Sequence, residues 1–80
     1  MEIRDRILNL VNAISGESKK IYFDEPILEN GLIDSVGILE LISELEAMFN
    51  VEFFESDMQI ENFETILKIE ELIIQKIENN

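Results

Sequence analysis

The chain has no cysteine, no histidine and no tryptophan, and it has only one proline and three glycines among its 80 residues. Without cysteine there is no disulfide framework and no thiolate metal site, so packing alone must hold the fold. Without histidine the usual general base and the usual nitrogen ligand of zinc are both missing. Long apolar runs are absent too, and none approaches the roughly 20 residues needed to span a bilayer. The opening Met1-Glu2-Ile3-Arg4-Asp5-Arg6 has no basic stretch leading into an apolar one, as a secretory signal would. These absences lead us to expect a cytoplasmic protein with no membrane insertion. The length allows one domain, residues 1–80, with a single small core.

Basic charge is the remaining scarcity. From Ile21 to Leu67 there are twelve acids and no lysine or arginine; elsewhere six acids balance Arg4, Arg6, Lys19, Lys20, Lys68 and Lys76. The whole formal charge of −12 therefore resides in the middle of the chain. Such a field repels nucleic acid and anionic membrane and draws basic protein surfaces with a salt-dependent on-rate. Solubility is the commoner reason for acidity. A base-free stretch around the candidate site described below favours a partner face.

Hydrophobic periodicity divides the chain into helical pieces. Residues 2–14 place Ile3, Ile7, Leu10, Val11 and Ile14 on one stripe, with Leu8 off it, and Ser15-Gly16-Glu17-Ser18 reads as the stop. A long connection to Ile33 follows, punctuated by Pro26 and Gly31. Its apolar residues Ile21, Tyr22, Phe23, Ile27, Leu28, Leu32 and Ile33 are expected to pin it across the helix ends. Ile21-Tyr22-Phe23 has strand character but no strand to pair with. Residues 35–49 form a second helix, N-capped by Asp34 or Ser35, with Ile38, Leu41, Ile42, Leu45, Met48 and Phe49 on one side and Asn50 at its end. Gly37 in its first turn costs about 1 kcal/mol against alanine and would admit a close approach to the helix start. Glu55-Ser56-Asp57-Met58 reads as a single turn capped by Ser56. A last helix over 63–78, capped by Asn62, would face inward with Phe63, Ile66, Leu67, Ile69, Ile73, Ile74 and Ile77, leaving Leu72 outside and Glu70 interrupting the stripe. The expected fold is all-α, a small bundle of three main helices plus one short helix, with a long loop between the first and second.

The chemistry concentrates in Gly31-Leu32-Ile33-Asp34-Ser35-Val36-Gly37-Ile38-Leu39-Glu40-Leu41. A serine stands at the entrance of an acidic amphipathic helix with no base nearby in sequence to make it a nucleophile; Lys19, Lys20, Lys68 and Lys76 could reach it only through folding. This hydroxyl is better placed to be modified than to catalyse. Together with Glu40-Leu41, Leu45-Glu46, Phe49 and Val51-Glu52-Phe53 at their spacings, Asp34-Ser35 resembles the modification dipeptide and second helix of acyl carrier proteins, the phosphopantetheine-dependent carriers. The resemblance covers essentially the whole chain.

That resemblance implies a non-catalytic carrier. Ser35 would be esterified with 4′-phosphopantetheine from coenzyme A by a phosphopantetheinyl transferase. Acyl or aminoacyl groups would then ride as thioesters on the arm's thiol, as in fatty-acid or specialised-metabolite biosynthesis, with D-alanyl or other aminoacyl carriage for cell-wall or nonribosomal pathways as the alternative. A phosphodiester at a helix N-terminus would meet unpaired backbone N–H groups and the positive end of the helix dipole, and Asp34 beside it would serve transferase recognition. The family places partner contacts at Val36, Glu40, Glu46 and Glu55, with Glu44 adding an acid nearby; an ordinary solvated face is the bland alternative for each glutamate. Ile42, Leu45 and Phe49 would be the core residues able to part for an acyl chain, although plain packing is the commoner role of such residues. The expected partners are the transferase, a loading ligase and downstream synthases with basic docking surfaces. The expected state is a free-standing monomer.

Some positions depart from the fatty-acid carriers: Gly37 and Ile38 replace polar residues, Phe54 a common proline, and Ala47 an acid. Asp34-Ser35-Val36-Gly37 preceded by Glu29-Asn30-Gly31-Leu32-Ile33 looks closer to D-alanyl carriers or to discrete carriers of specialised pathways. The tryptophan frequent before the last helix of D-alanyl carriers is absent, with Phe63 nearby. Three other classes compete. A serine enzyme lacks its base. An EF-hand lacks the alternating Asp/Asn ligands and closing glutamate. An unmodified acidic adaptor or nucleic-acid mimic, in which Asp34-Ser35 merely caps a helix, accounts for the dipeptide but not for the full pattern.

Overall fold

The computed structural model describes residues 2–16 and 20–79; Glu17 and Ser18 of the expected stop, and the base Lys19, lie outside the described residues, as do Met1 and Asn80. Three α-helices, α1 (Ile3–Ser15), α2 (Ser35–Phe49) and α3 (Ile66–Glu78), are joined by a long loop and by a connection containing two 3-10 turns, Glu55–Asp57 and Ile60–Phe63. Among the described residues there is no strand.

Helix α1 ends where a left-handed residue is available. Gly16 has φ 70° and its N–H donates to Asn12 O. Ile7 and Val11 are completely buried, and Leu8, off the sequence stripe, packs half-buried against the same core. Helix α2 ends in the same way at Asn50, with φ 54°.

The described part of the loop before α2 is pinned from Ile21 to Ile33. Ile21, Ile27, Leu32 and Ile33 are buried, whereas Tyr22 remains exposed. Residues 21–23 have no strand partner among the described residues; instead the Phe23 carbonyl accepts the Leu67 N–H at 3.1 Å, and the Ile27 N–H donates to Glu64 O at 2.9 Å. The loop thus satisfies one of the N–H groups that the first turn of α3 leaves without a helical partner.

Two caps expected from the sequence are replaced. Thr65, not Asn62, caps α3: its Oγ1 accepts the Lys68 N–H at 3.1 Å, while Asn62 Nδ2 donates to Asp57 O. Ser56 lies within the first 3-10 turn rather than before it, and the Phe54 N–H is met by Asp57 Oδ2 at 2.7 Å. The displaced start of α3 also corrects its rotation. Phe63 belongs to the second 3-10 turn, where it meets Phe53 edge to face at 5.8 Å. The helical phase therefore begins at Ile66, burying Ile66, Ile69, Leu72 and Ile73 and leaving Ile77 44% exposed. Glu70, the apparent interruption, is tucked in because Arg4 of α1 grips it through Nε at 3.1 Å and Nη2 at 2.9 Å. The result is one apolar core with no buried polar or charged residue among those described, in which α1 packs against both α2 and α3.

Candidate functional site

Ser35 is the first residue of α2 and is exposed. The turn that presents it is built by its neighbour. Asp34 is extended, and its Oδ1 accepts the N–H groups of Val36 at 3.1 Å and Gly37 at 2.7 Å. Asp34, rather than Ser35, is thus the N-cap. The preceding residue, Ile33, is 1% exposed and anchors the end of the loop, with its N–H bonded to Ile27 O at 2.9 Å. The hydroxyl therefore stands on a hydrogen-bonded turn, open to solvent.

This geometry corrects one expectation. A phosphodiester here would not find the Val36 and Gly37 N–H groups free, since the Asp34 carboxylate holds both. What the site offers such a group is access and the positive end of a 15-residue helix. On those two grounds the turn accommodates a serine-linked phosphodiester, although with a carboxylate beside it.

The surface leading away from Ser35 combines apolar and acidic groups. Val36 is 74% exposed and Leu39 68% exposed. Helical spacing puts Val36, Leu39, Glu40 and Ser43 on one face. The sequence reading missed Leu39, but the signal was available: it lies about 160° around the helix from Leu41, which is fully buried. Glu40 and Glu44 are exposed. The ion pairs among the described residues use Glu70, Glu71 and Asp57, so none of them neutralises Asp34, Glu40 or Glu44.

The other residues singled out from sequence are not gathered on this face. Glu46 is half-buried, and its Oε2 accepts the Phe53 N–H at 2.8 Å, tying α2 to the chain that leaves it. It lies eleven residues beyond Ser35, roughly 16 Å along the helix axis. Glu55 is exposed on the first 3-10 turn. Leu45 is wholly buried, with Ile42 and Phe49 half-buried against the same core. Two surface grooves among the described residues involve other side chains: one runs past Asn50, Phe54, Asp57 and Lys76, the other past Asn62, Lys68 and Leu72.

Comparison with known proteins identifies the family. Residues 5–73 match the family model described as a phosphopantetheine attachment site. The chain is 32% identical over 77 residues to a D-alanyl carrier protein of Leuconostoc mesenteroides subsp. mesenteroides, covering 91% of this chain and 99% of the relative. It is 36% identical over 69 residues to a D-alanyl carrier protein of Streptococcus suis, covering 86% and 87%. A third, from Leuconostoc citreum, is 31% identical over 77 residues, covering 91% and 99%. Members of this family hold a covalently attached 4′-phosphopantetheine. With a helical fold and a match along most of its length, this chain belongs to the family of phosphopantetheine-dependent acyl carrier proteins.

Proposed function

We propose that Ser35 bears the 4′-phosphopantetheine arm and that the cargo is a D-alanyl or other small aminoacyl group. The observation that carries the attachment site is the exposed Ser35 hydroxyl on the Asp34-capped first turn of α2, beside the apolar, acid-flanked face of Val36, Leu39, Glu40 and Glu44. The cargo assignment is supported by the names of the relatives and by the Asp34-Ser35-Val36-Gly37 sequence. A cysteine-free chain has no thiol of its own, so the arm supplies the sulfur that forms the thioester. The protein itself presents, orients and releases, and catalysis belongs to its partners.

Those partners are the transferase, a loading ligase and the enzyme that accepts the cargo. Each would meet α2 with a basic rim around an apolar contact. Rim charges chiefly set on-rate and orientation, and weak binding suits a carrier that must leave each enzyme. We read residues 1–80 as one carrier domain, working in the cytoplasm where coenzyme A supplies the arm. A fatty-acyl or specialised-acid cargo is the second reading; it draws on Ile42 and Phe49, half-buried beside Leu45, as a seam that could part.

The test is intact mass after incubation with coenzyme A, magnesium and a promiscuous transferase. One phosphopantetheine should be added to the parent chain and none to Ser35→Ala. The holo protein is then offered D-alanine with ATP and a D-alanine-activating ligase, and in parallel fatty acids with an acyl-activating ligase. Faster aminoacyl loading supports the cargo assignment; loading only by fatty acids overturns it and leaves the attachment site standing.

A further inference from the structure

The backbone at Gly37 is ordinary helix, with no positive φ to call for glycine. Glycine is a poor helix former, so its presence in the first turn asks for another reason. The surroundings provide one. A Cβ placed on Gly37 would lie 3.2 Å from Asp34 Oδ1, 3.3 Å from Ile33 Cγ2 and 3.4 Å from Ile14 Cγ2. These are the capping carboxylate, the buried last residue of the loop and a residue in the final turn of α1. All three close on the bare Cα. The other two described glycines, Gly16 and Gly31, have positive φ and nothing within 4 Å of such a Cβ; they serve the backbone, whereas Gly37 serves packing.

We propose that Gly37 is a positioning residue for modification of Ser35. Its missing side chain lets α1 and the loop close on the first turn of α2 and hold the Asp34 carboxylate over the Val36 and Gly37 N–H groups, fixing how the Ser35 hydroxyl is presented to the transferase. The inference rests on the reading that Ser35 carries the arm. In that modification a bond forms between Ser35 Oγ and the phosphorus nearest the pantetheine of coenzyme A. The bond from that phosphorus to the adenosine 3′,5′-bisphosphate leaving group breaks, and the hydroxyl proton passes to a base outside this chain. Gly37 touches none of the reacting atoms. It acts through the turn, and small displacements of a reacting group are costly to rate.

The experiment uses the full apo chain, coenzyme A, magnesium and a transferase shown by intact mass to modify the parent at Ser35. Gly37→Ala should retain the parent's circular dichroism and a thermal midpoint within a few degrees, because alanine's better helix propensity offsets the crowding. Its modification rate should fall about tenfold, mainly in kcat, since the exposed Val36, Leu39, Glu40 and Glu44 are untouched. Removing Ile14 Cγ2 in Gly37→Ala/Ile14→Ala should return part of that rate although it leaves the fold less stable. Equal modification of parent and Gly37→Ala overturns the proposal. So does a rate that merely follows the thermal midpoint through the three proteins, with the double variant slowest. A parent that gains no mass at Ser35 overturns the attachment site and this inference together, which separates the two failures.

Discussion

On Asp34 an observed cap coincides with the proposed transferase contact. As the N-cap of α2 it satisfies two backbone donors, and as an anion beside Ser35 it is available to a transferase. The two are separable by substitution. Asp34→Ala should cost about 1 kcal/mol in urea unfolding, while Asp34→Asn retains a capping oxygen and should lose only a few tenths. A strong drop in the modification rate of Asp34→Asn would then report the charge alone. Leu39 gives the opposite pairing of effects. At 68% exposure it contributes little to folding, so Leu39→Ala should shift stability by no more than about 0.5 kcal/mol. If it belongs with Val36 to the proposed docking face, the same change should raise the KM of the transferase or loading ligase several-fold; an unchanged KM removes Leu39 from that face.

At the scale of elements, the connection between α2 and α3 depends on Asp57. Its Oδ2 lies 2.6 Å from Lys76 Nζ on α3 and accepts the Phe54 N–H, while its carbonyl receives Asn62 Nδ2. Lys76 also rests against the Phe54 ring, 4.8 Å from its centroid. Burial alone would push the Asp57 carboxyl up, but the hydrogen bonds from Lys76 and the Phe54 N–H, with the charge of Lys76, outweigh it and lower the pKa from its ordinary 3.8. A depressed folded value means that this stabilisation is fully present above the ordinary value and is lost as pH falls through the lower folded one. Asp57→Asn should therefore be less stable than the parent at neutral pH by about 1 kcal/mol, the upper end for a solvent-touching ion pair. Thermal midpoints of the two proteins should converge as pH is taken below 3.8. A gap that persists into acid would assign the effect to the hydrogen bonds rather than the charge.

For the whole molecule, charge is the dominant fact. Each described base has an anionic or aromatic partner: Arg4 pairs with Glu70, Lys68 with Glu71 and Lys76 with Asp57, Arg6 stacks on Phe49 at 4.7 Å, and Lys20 lies over Tyr22. With a net charge of −12, much of the acid surface is left without a compensating cation. Self-repulsion should weaken the compact state at low ionic strength. Raising salt until the Debye length is about 8 Å should raise the thermal midpoint while slowing association with basic partners. A midpoint independent of salt would mean that the acids are too far apart to repel one another.

Local features were legible from the sequence because their causes are local. Gly16 and Asn50 end helices through conformations their own residues favour, and Asp34 caps a helix from its own turn, which placed Ser35 at an exposed helix entrance before any tertiary contact was considered. The rotation of α3 was not legible. Whether Leu72 or Ile77 faces inward depends on where helical phase begins, and a 3-10 turn ending at Phe63 sets that phase by packing against Phe53. The engagement of Glu46 and Asp57 was not legible either, because nothing in their neighbours announces that a distant N–H or Lys76 will meet them. The sequence alone determined helix content, the central acidity and the serine at the mouth of α2, since periodicity, composition and capping act within a few residues. Only the tertiary structure decided which acids remain free, which apolar side chains face solvent and why Gly37 is bare, since each depends on what another part of the chain brings within a few ångströms.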